Sequence, residues 1–175
     1  MRLTEHARGI FVISATPFTD DGALDLTSVD PLVDFYLQHG VHGLTILGLM
    51  GEAPKLTADE AVAFVTRVLA RVAGRVPVVV GVSNPDRVPM KTLTTRVMDL
   101  GAAGVMIAPA HGLKGDEVVE HCFRAVFDTL GDVPVCLQDY PQETGAPLGV
   151  PLINRLTPTR FPRSSSSSTR TAPAS

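Results

Sequence analysis

The chain has 175 residues, 45% of them hydrophobic, with a mean hydropathy of +0.21 and a net charge of −3. That is enough apolar material for one core, and the weak negative charge argues against nucleic acid or an anionic membrane as partner, since both are held by clustered Lys and Arg. No apolar run approaches the roughly 18 residues that a bilayer span requires, and Arg2, Glu5, His6 and Arg8 interrupt any signal-peptide core, so a cytoplasmic location is expected.

From residue 10 onward a unit of about thirty residues repeats, each made of a short apolar run, a Gly/Pro or polar loop and a helix-periodic segment. The first run, Ile10–Ala15, leads to a helix over about 27–38 with Val29, Leu32, Val33 and Tyr36 on one face. The second, Gly43–Leu47, precedes Thr57-Ala-Asp-Glu60, whose capping-box spacing opens a helix through about Ala73. Pro77–Gly81 is followed by a helix over about 90–100, and Gly104–Ala108 by one over about 116–130. Pro134–Leu137 is the fifth run. Val- and Ile-rich runs without polar alternation suit strands buried on both faces. Gly40, Gly74, Gly101 and Gly131 fall just past the helix ends, where a left-handed residue is needed. Strand and helix alternating over short links predicts an α/β fold with a parallel sheet and right-handed crossovers. Five such units are too few for a closed eight-unit barrel, which takes about 250 residues, so a partial (β/α) barrel over 1–156 is expected.

Beyond Leu156 the composition changes to Pro, Arg, Thr and five serines at 164–168. This low-complexity stretch, 157–175, has almost nothing apolar to bury and is expected to be a disordered tail. The two cysteines, Cys122 and Cys136, fit a reducing compartment and supply neither a disulfide framework nor a metal pair.

The loops carry a resemblance. Gly9-Ile-Phe-Val-Ile-Ser-Ala-Thr-Pro-Phe18 resembles the first strand and Thr-Pro-Phe loop of the dihydrodipicolinate synthase and N-acetylneuraminate lyase family. Gly48-Leu-Met-Gly-Glu52 is similar to its loop after strand two. Val79-Val-Gly-Val82, Ala102–Pro109 and Asp139-Tyr-Pro-Gln-Glu-Thr-Gly145 are similar to the segments at strands three, four and five. Each motif alone is weak, but five in order and in register over 9–156 are specific.

The resemblance implies a TIM-type barrel, commonly tetrameric, that needs no metal or other cofactor. It implies a strand-six lysine that forms a Schiff base with a pyruvate-type 2-oxo acid. The resulting iminium stabilises a neighbouring carbanion, so that carbon–carbon or carbon–oxygen bonds can be made or broken. It further implies that Thr16 lines the pocket and that Gly48, Leu49, Met50 and Gly51 meet the substrate carboxylate. Where the family usually offers two hydroxyls, however, this chain has Leu49 and Met50, leaving backbone N–H groups to hold the anion. The acid/base tyrosine of strand five corresponds to Gln138, whose amide does not titrate near neutral pH. Tyr140 lies two residues on and shares the face of Gln138 if the strand continues that far. The tyrosine usual after strand four corresponds to Ala110 or His111. These departures point to a divergent aldolase, dehydratase or hydratase rather than the synthase proper, with His111 or Tyr140 as substitute acid/base. Glu52 is expected to tie its loop down, and His6, His39, His42 and His121 to be surface or capping residues.

None of Lys55, Lys91 and Lys114 falls on a predicted strand, and the next repeat places the family lysine near the serine run. The chain is therefore expected to be inactive alone, either a 2-oxo-acid-binding module or part of a barrel completed by a second chain. The serine run has a second reading in the genetic code. Serine codons of the form TCN, read one base earlier, become NTC and encode Phe, Leu, Ile or Val. One choice of codons turns the tail into Ile-Val-Ile-Val-Lys-His-Glu-Asp-Cys-Pro-Gly, with the lysine overlapping Ser167 and Ser168. A frameshift inside the sixth strand is the expectation that follows.

Overall fold

A computed structural model describes residues 1–157, so the tail expected over 157–175 lies outside the described residues from 158 onward. Five strands, β1 (Phe11–Ile13), β2 (Gly43–Ile46), β3 (Val78–Gly81), β4 (Gly104–Ile107) and β5 (Val135–Leu137), form one parallel sheet in chain order. The long helices are α1 (Val29–Gln38), α2 (Ala58–Val72), α3 (Arg87–Asp99) and α4 (Asp116–Leu130). Two short helices follow β5: α5 (Pro141–Thr144) and α6 (Val150–Leu156).

Alternation along the strands separates two faces. Leu44, Ile46, Val78, Val80, Val105 and Ile107 enter the core with Val33, Phe64, Val68 and Phe123 from the helices. The alternate residues form rows on the other face, the lumen side of a barrel: Ile13 beside Thr45 beside Val79, and Gly81 beside Met106 beside Cys136. Burial on both faces holds for β2, β3 and β4, each buried along its whole length. It fails for β1 and β5, which are half-buried, with Cys136 exposed. The outer strands have a neighbour on one side only, and local sequence does not report that.

Helix ends follow their local chemistry. The Thr57 hydroxyl accepts from the Glu60 N–H while the Glu60 carboxylate accepts from the Thr57 N–H at 2.8 Å, the full capping box. Gly40, Gly74, Gly101 and Gly131 all have positive φ. Helix α3 begins earlier than expected because Asp86 caps it, accepting from the Val88 N–H at 2.9 Å, so that Pro89 sits in the first turn where its missing N–H costs nothing. His42 is exposed, and its ring accepts from the Ile10 N–H through Nδ1 at 3.0 Å, a link between the starts of β1 and β2 that caps no helix.

Ion pairs link neighbouring helices. Arg67 holds Asp30 through two 2.7 Å hydrogen bonds, and Arg71 holds Asp34 one turn further on. Arg155 on α6 binds Glu120 on α4 at 2.6 Å, and Arg124 binds the same carboxylate. The guanidiniums of Arg155 and then Arg124 hold the Glu120 carboxyl below its ordinary range.

Candidate active site at the carboxyl ends of the strands

The loop after β2 begins with Leu47 in the left-handed region, φ 53°. A single 3₁₀ turn over Leu49–Gly51 follows, and Glu52 takes the left-handed region again, φ 50°. The turn closes with hydrogen bonds from the Gly51 N–H to Gly48 O and from the Glu52 N–H to Leu49 O, both 3.0 Å. Its leading N–H groups, on Leu49 and Met50, stand at the open end of the turn. Thr16 is 6% exposed, and its hydroxyl donates to Gly51 O at 2.6 Å, fastening the turn across the ends of β1 and β2. Gly48 lies against the lumen, where a Cβ would stand 3.2 Å from Met106 Cε and 3.6 Å from Ile13 Cγ2. The Glu52 carboxylate pairs with Lys55. Thr16 thus anchors the turn from the loop after β1, while the Glu52–Lys55 pair is an exposed contact within the turn's own loop.

Because the Thr16 hydroxyl satisfies a carbonyl at a buried position, Thr16→Val is expected to cost about 1–3 kcal/mol and to loosen the 48–52 turn. Urea melts measure the first effect. Amide exchange at Gly51 and Glu52 measures the second, and an unchanged exchange rate there would remove Thr16 from this role.

A second rim comes from the loops after β4 and β5. Gln138 prolongs the sheet, its N–H donating to Ile107 O at 2.9 Å, and by alternation it shares the lumen side with Cys136. The strand stops there. Tyr140 has turned out of extended geometry and heads α5, with its carbonyl accepting from Glu143 N–H and Thr144 N–H, and its side chain is 41% exposed. The inward orientation that strand alternation offered Tyr140 therefore does not carry over. His111 is exposed in the loop after β4, with Nε2 3.5 Å from Glu143 Oε1. The Gly112 N–H donates to Thr144 O at 3.3 Å, so the two loops are tied together by a side-chain pair and a backbone bond. Asp139 accepts from the Leu148 N–H at 3.0 Å, which closes the loop after α5.

The expected residues thus fall into two groups, Thr16 with Gly48–Gly51 and His111 with Gln138 and Tyr140, at the same end of the sheet. No hydrogen bond or ion pair joins the two groups among the described residues. Two contributors had no separate mark in the sequence. Glu143 pairs with His111 across 32 positions of chain. Gly81 ends β3 directly beneath the carbonyl of Leu47, where a Cβ would stand 2.1 Å from that oxygen. Lys55 lies in a turn, Lys91 on α3 and Lys114 in the loop before α4, none of them on a strand. An open surface depression lies along α3, lined by Arg87, Lys91, Arg96 and Thr129 among others, and includes none of the strand-end residues. Among the described residues no group of three or more His, Cys, Asp or Glu could hold a metal ion, and no helix is long and apolar enough to cross a membrane.

Parallel βα units in chain order, with their polar loops at the carboxyl ends of the strands, define the architecture of the (β/α)-barrel enzymes. Within that class the chain belongs to the dihydrodipicolinate synthetase family, whose model matches residues 6–160. It is similar to the 4-hydroxy-tetrahydrodipicolinate synthase of Thiobacillus denitrificans, 32% identical over 81% of this chain and 48% of that one. It is also similar to the L-2-keto-3-deoxyarabonate dehydratase of Azospirillum brasilense, 35% identical over 87% of this chain and 50% of that one. Among solved structures, a dihydrodipicolinate synthase from Rhodopseudomonas palustris superposes with a TM-score of 0.88 at 45% identity, covering 91% of this chain and 53% of that one. A prophage protein of the family from E. coli K12, solved in complex with pyruvate, superposes with a TM-score of 0.77 at 30% identity, covering 86% and 51%. The chain spans about half the length of the relatives it matches.

Proposed function

We propose that this chain carries one share of a lyase site for a pyruvate-type 2-oxo acid, and that as a 175-residue chain it binds such an acid without forming the Schiff base. The observation that carries the reading is the 48–52 turn, fastened by Thr16 over the lumen end of β1 and β2. Its leading N–H groups suit the carboxylate of the acid, while His111 and Gln138 supply the polar groups on the β4 and β5 side. The pyruvate complex of the E. coli relative and the dehydratase activity of the Azospirillum relative support the substrate class. The missing chemistry is that of the amine. With lysines only at 55, 91 and 114, none of them on a strand, no ammonium is desolvated beside the substrate carbonyl to act as nucleophile. A frameshift across residues 157–175 accounts for that loss, and the gene's nucleotides decide it. If no shifted frame there encodes an apolar strand ending in lysine, the frameshift is wrong.

Two measurements on the chain test the main reading. Calorimetry with millimolar pyruvate is expected to give heat, and its absence would sink the binding half. Borohydride reduction in the presence of pyruvate is expected to leave every lysine unmodified, and a mass increment on any of the three would overturn the rest. A second reading, supported by the half-buried β1 and β5, is that another chain adds strands at these two edges and completes the barrel. A purely monomeric, inactive product in solution counts against it.

A further inference from the structure

Five polar side chains are buried among the described residues: Ser14, Thr16, Thr45, Thr94 and Thr144. Three of these hydroxyls have partners. Ser14 donates to Ala15 O at 2.9 Å, Thr16 to Gly51 O at 2.6 Å and Thr144 to Tyr140 O at 3.2 Å. The hydroxyls of Thr45 and Thr94 have none among the described residues. Thr94, on α3, is also cut off from solvent, whereas the Thr45 oxygen is not, although its residue is only 4% exposed. Register fixes what that oxygen opens on. Thr45 stands in a lumen row between Ile13 and Val79, both aliphatic. The 48–52 turn lies directly above this row, since a Cβ on Gly48 would stand 3.6 Å from Ile13 Cγ2. One layer of lumen residues is two positions of strand, about 7 Å. A hydroxyl with so little access to water, set in an apolar wall, calls for a partner from outside the protein.

We infer that Thr45 is a ligand-contacting residue, its hydroxyl donating to the oxo oxygen of a 2-oxo acid whose carboxylate sits on the 48–52 turn. The inference rests on the 2-oxo-acid reading above and adds the contact at the floor of the site. With the carboxylate taken by the turn, the oxo oxygen is the acceptor left for a donor deeper in the lumen. Ile13 and Val79 beside Thr45, and Met106 below Gly48, have no donor to offer.

The test is calorimetry with pyruvate and with propanoate, which lacks the oxo oxygen, on the 175-residue chain, T45V and T45S, together with urea melts. Valine keeps the shape of the side chain and removes the hydroxyl; serine keeps the hydroxyl. T45V is expected to bind pyruvate about tenfold more weakly, the loss of one hydrogen bond, and the preference for pyruvate over propanoate is expected to fall with it. T45S is expected to keep most of the affinity. The T45V melt is expected at or above the wild-type urea concentration, because no hydrogen bond within the protein is broken. A hydroxyl with a structural role would instead lose stability and binding together, and a T45V melt well below wild type would overturn the inference. Pyruvate affinity unchanged in T45V would overturn it while leaving the 2-oxo-acid reading standing. T45S binding as weakly as T45V would take the effect away from the hydroxyl, and an equal drop with propanoate would take the bond away from the oxo oxygen. No heat with pyruvate on the wild type would overturn the underlying reading and this inference with it.

Discussion

Replacing Gly81 with Ala is expected to destabilise the protein by about 3 kcal/mol or more, at or beyond the upper end of ordinary overpacking, and to displace the loop that follows β2. The added methyl would stand 2.1 Å from Leu47 O, 2.8 Å from Leu47 C and 3.2 Å from Gly48 N. All three are backbone atoms, and Leu47 already occupies the left-handed region, so no rotamer change relieves the clash. Relief requires moving Leu47 and Gly48, and with them the turn that Thr16 fastens. Binding of pyruvate should therefore weaken along with stability. Gly43→Ala is the control. A Cβ there would stand 2.4 Å from the Phe11 ring, a side chain on the half-buried outer strand that can swing away. Urea melts and pyruvate calorimetry on both variants decide the matter. If Gly81→Ala is no worse than Gly43→Ala, the tight crossing over β3 does not control the site.

Leu156→Ala is expected to cost about 2–5 kcal/mol, the range for truncating a fully buried leucine, and Leu152→Ala about the same. Both side chains are completely buried although they belong to the last described helix. Helix α6 packs on α4, where Arg155 also reaches Glu120. The packing of the described residues thus includes α6 through Leu156. Chemical denaturation reads the effect directly. A loss below about 1 kcal/mol for both variants would place α6 outside the cooperative unit.

The fold was legible because its cues are local. Val-rich runs such as Val78–Val80, the Thr57/Glu60 box and glycines past the helix ends each state their role within a few residues. The short helices α5 and α6 were not marked out, because Pro141 and Pro151 look like breaks until they are seen to occupy the first turn, where proline is preorganised. At the site, the motif residues Thr16, Gly48–Gly51, His111 and Gln138 could be placed at strand ends from order alone. Their partners could not. That the Thr16 hydroxyl meets Gly51, that Glu143 meets His111 and that Gly81 lies beneath Leu47 depend on loops from different units arriving together. Tyr140 shows the same limit from the other direction: whether it faces inward depends on where β5 ends, and β5 ends at Leu137.

Sheet order equal to chain order also bears on how the protein is made. Each strand pairs with the one synthesised just before it, and each long helix packs on its predecessor. No described strand has to wait for a distant partner to leave the ribosome. The loop entropy of every pairing is that of a single unit, and assembly can proceed from the amino terminus in step with translation. In a closed eight-stranded barrel the final seam joins the last strand to the first across the whole chain, a long-range step that none of the four described pairings involves.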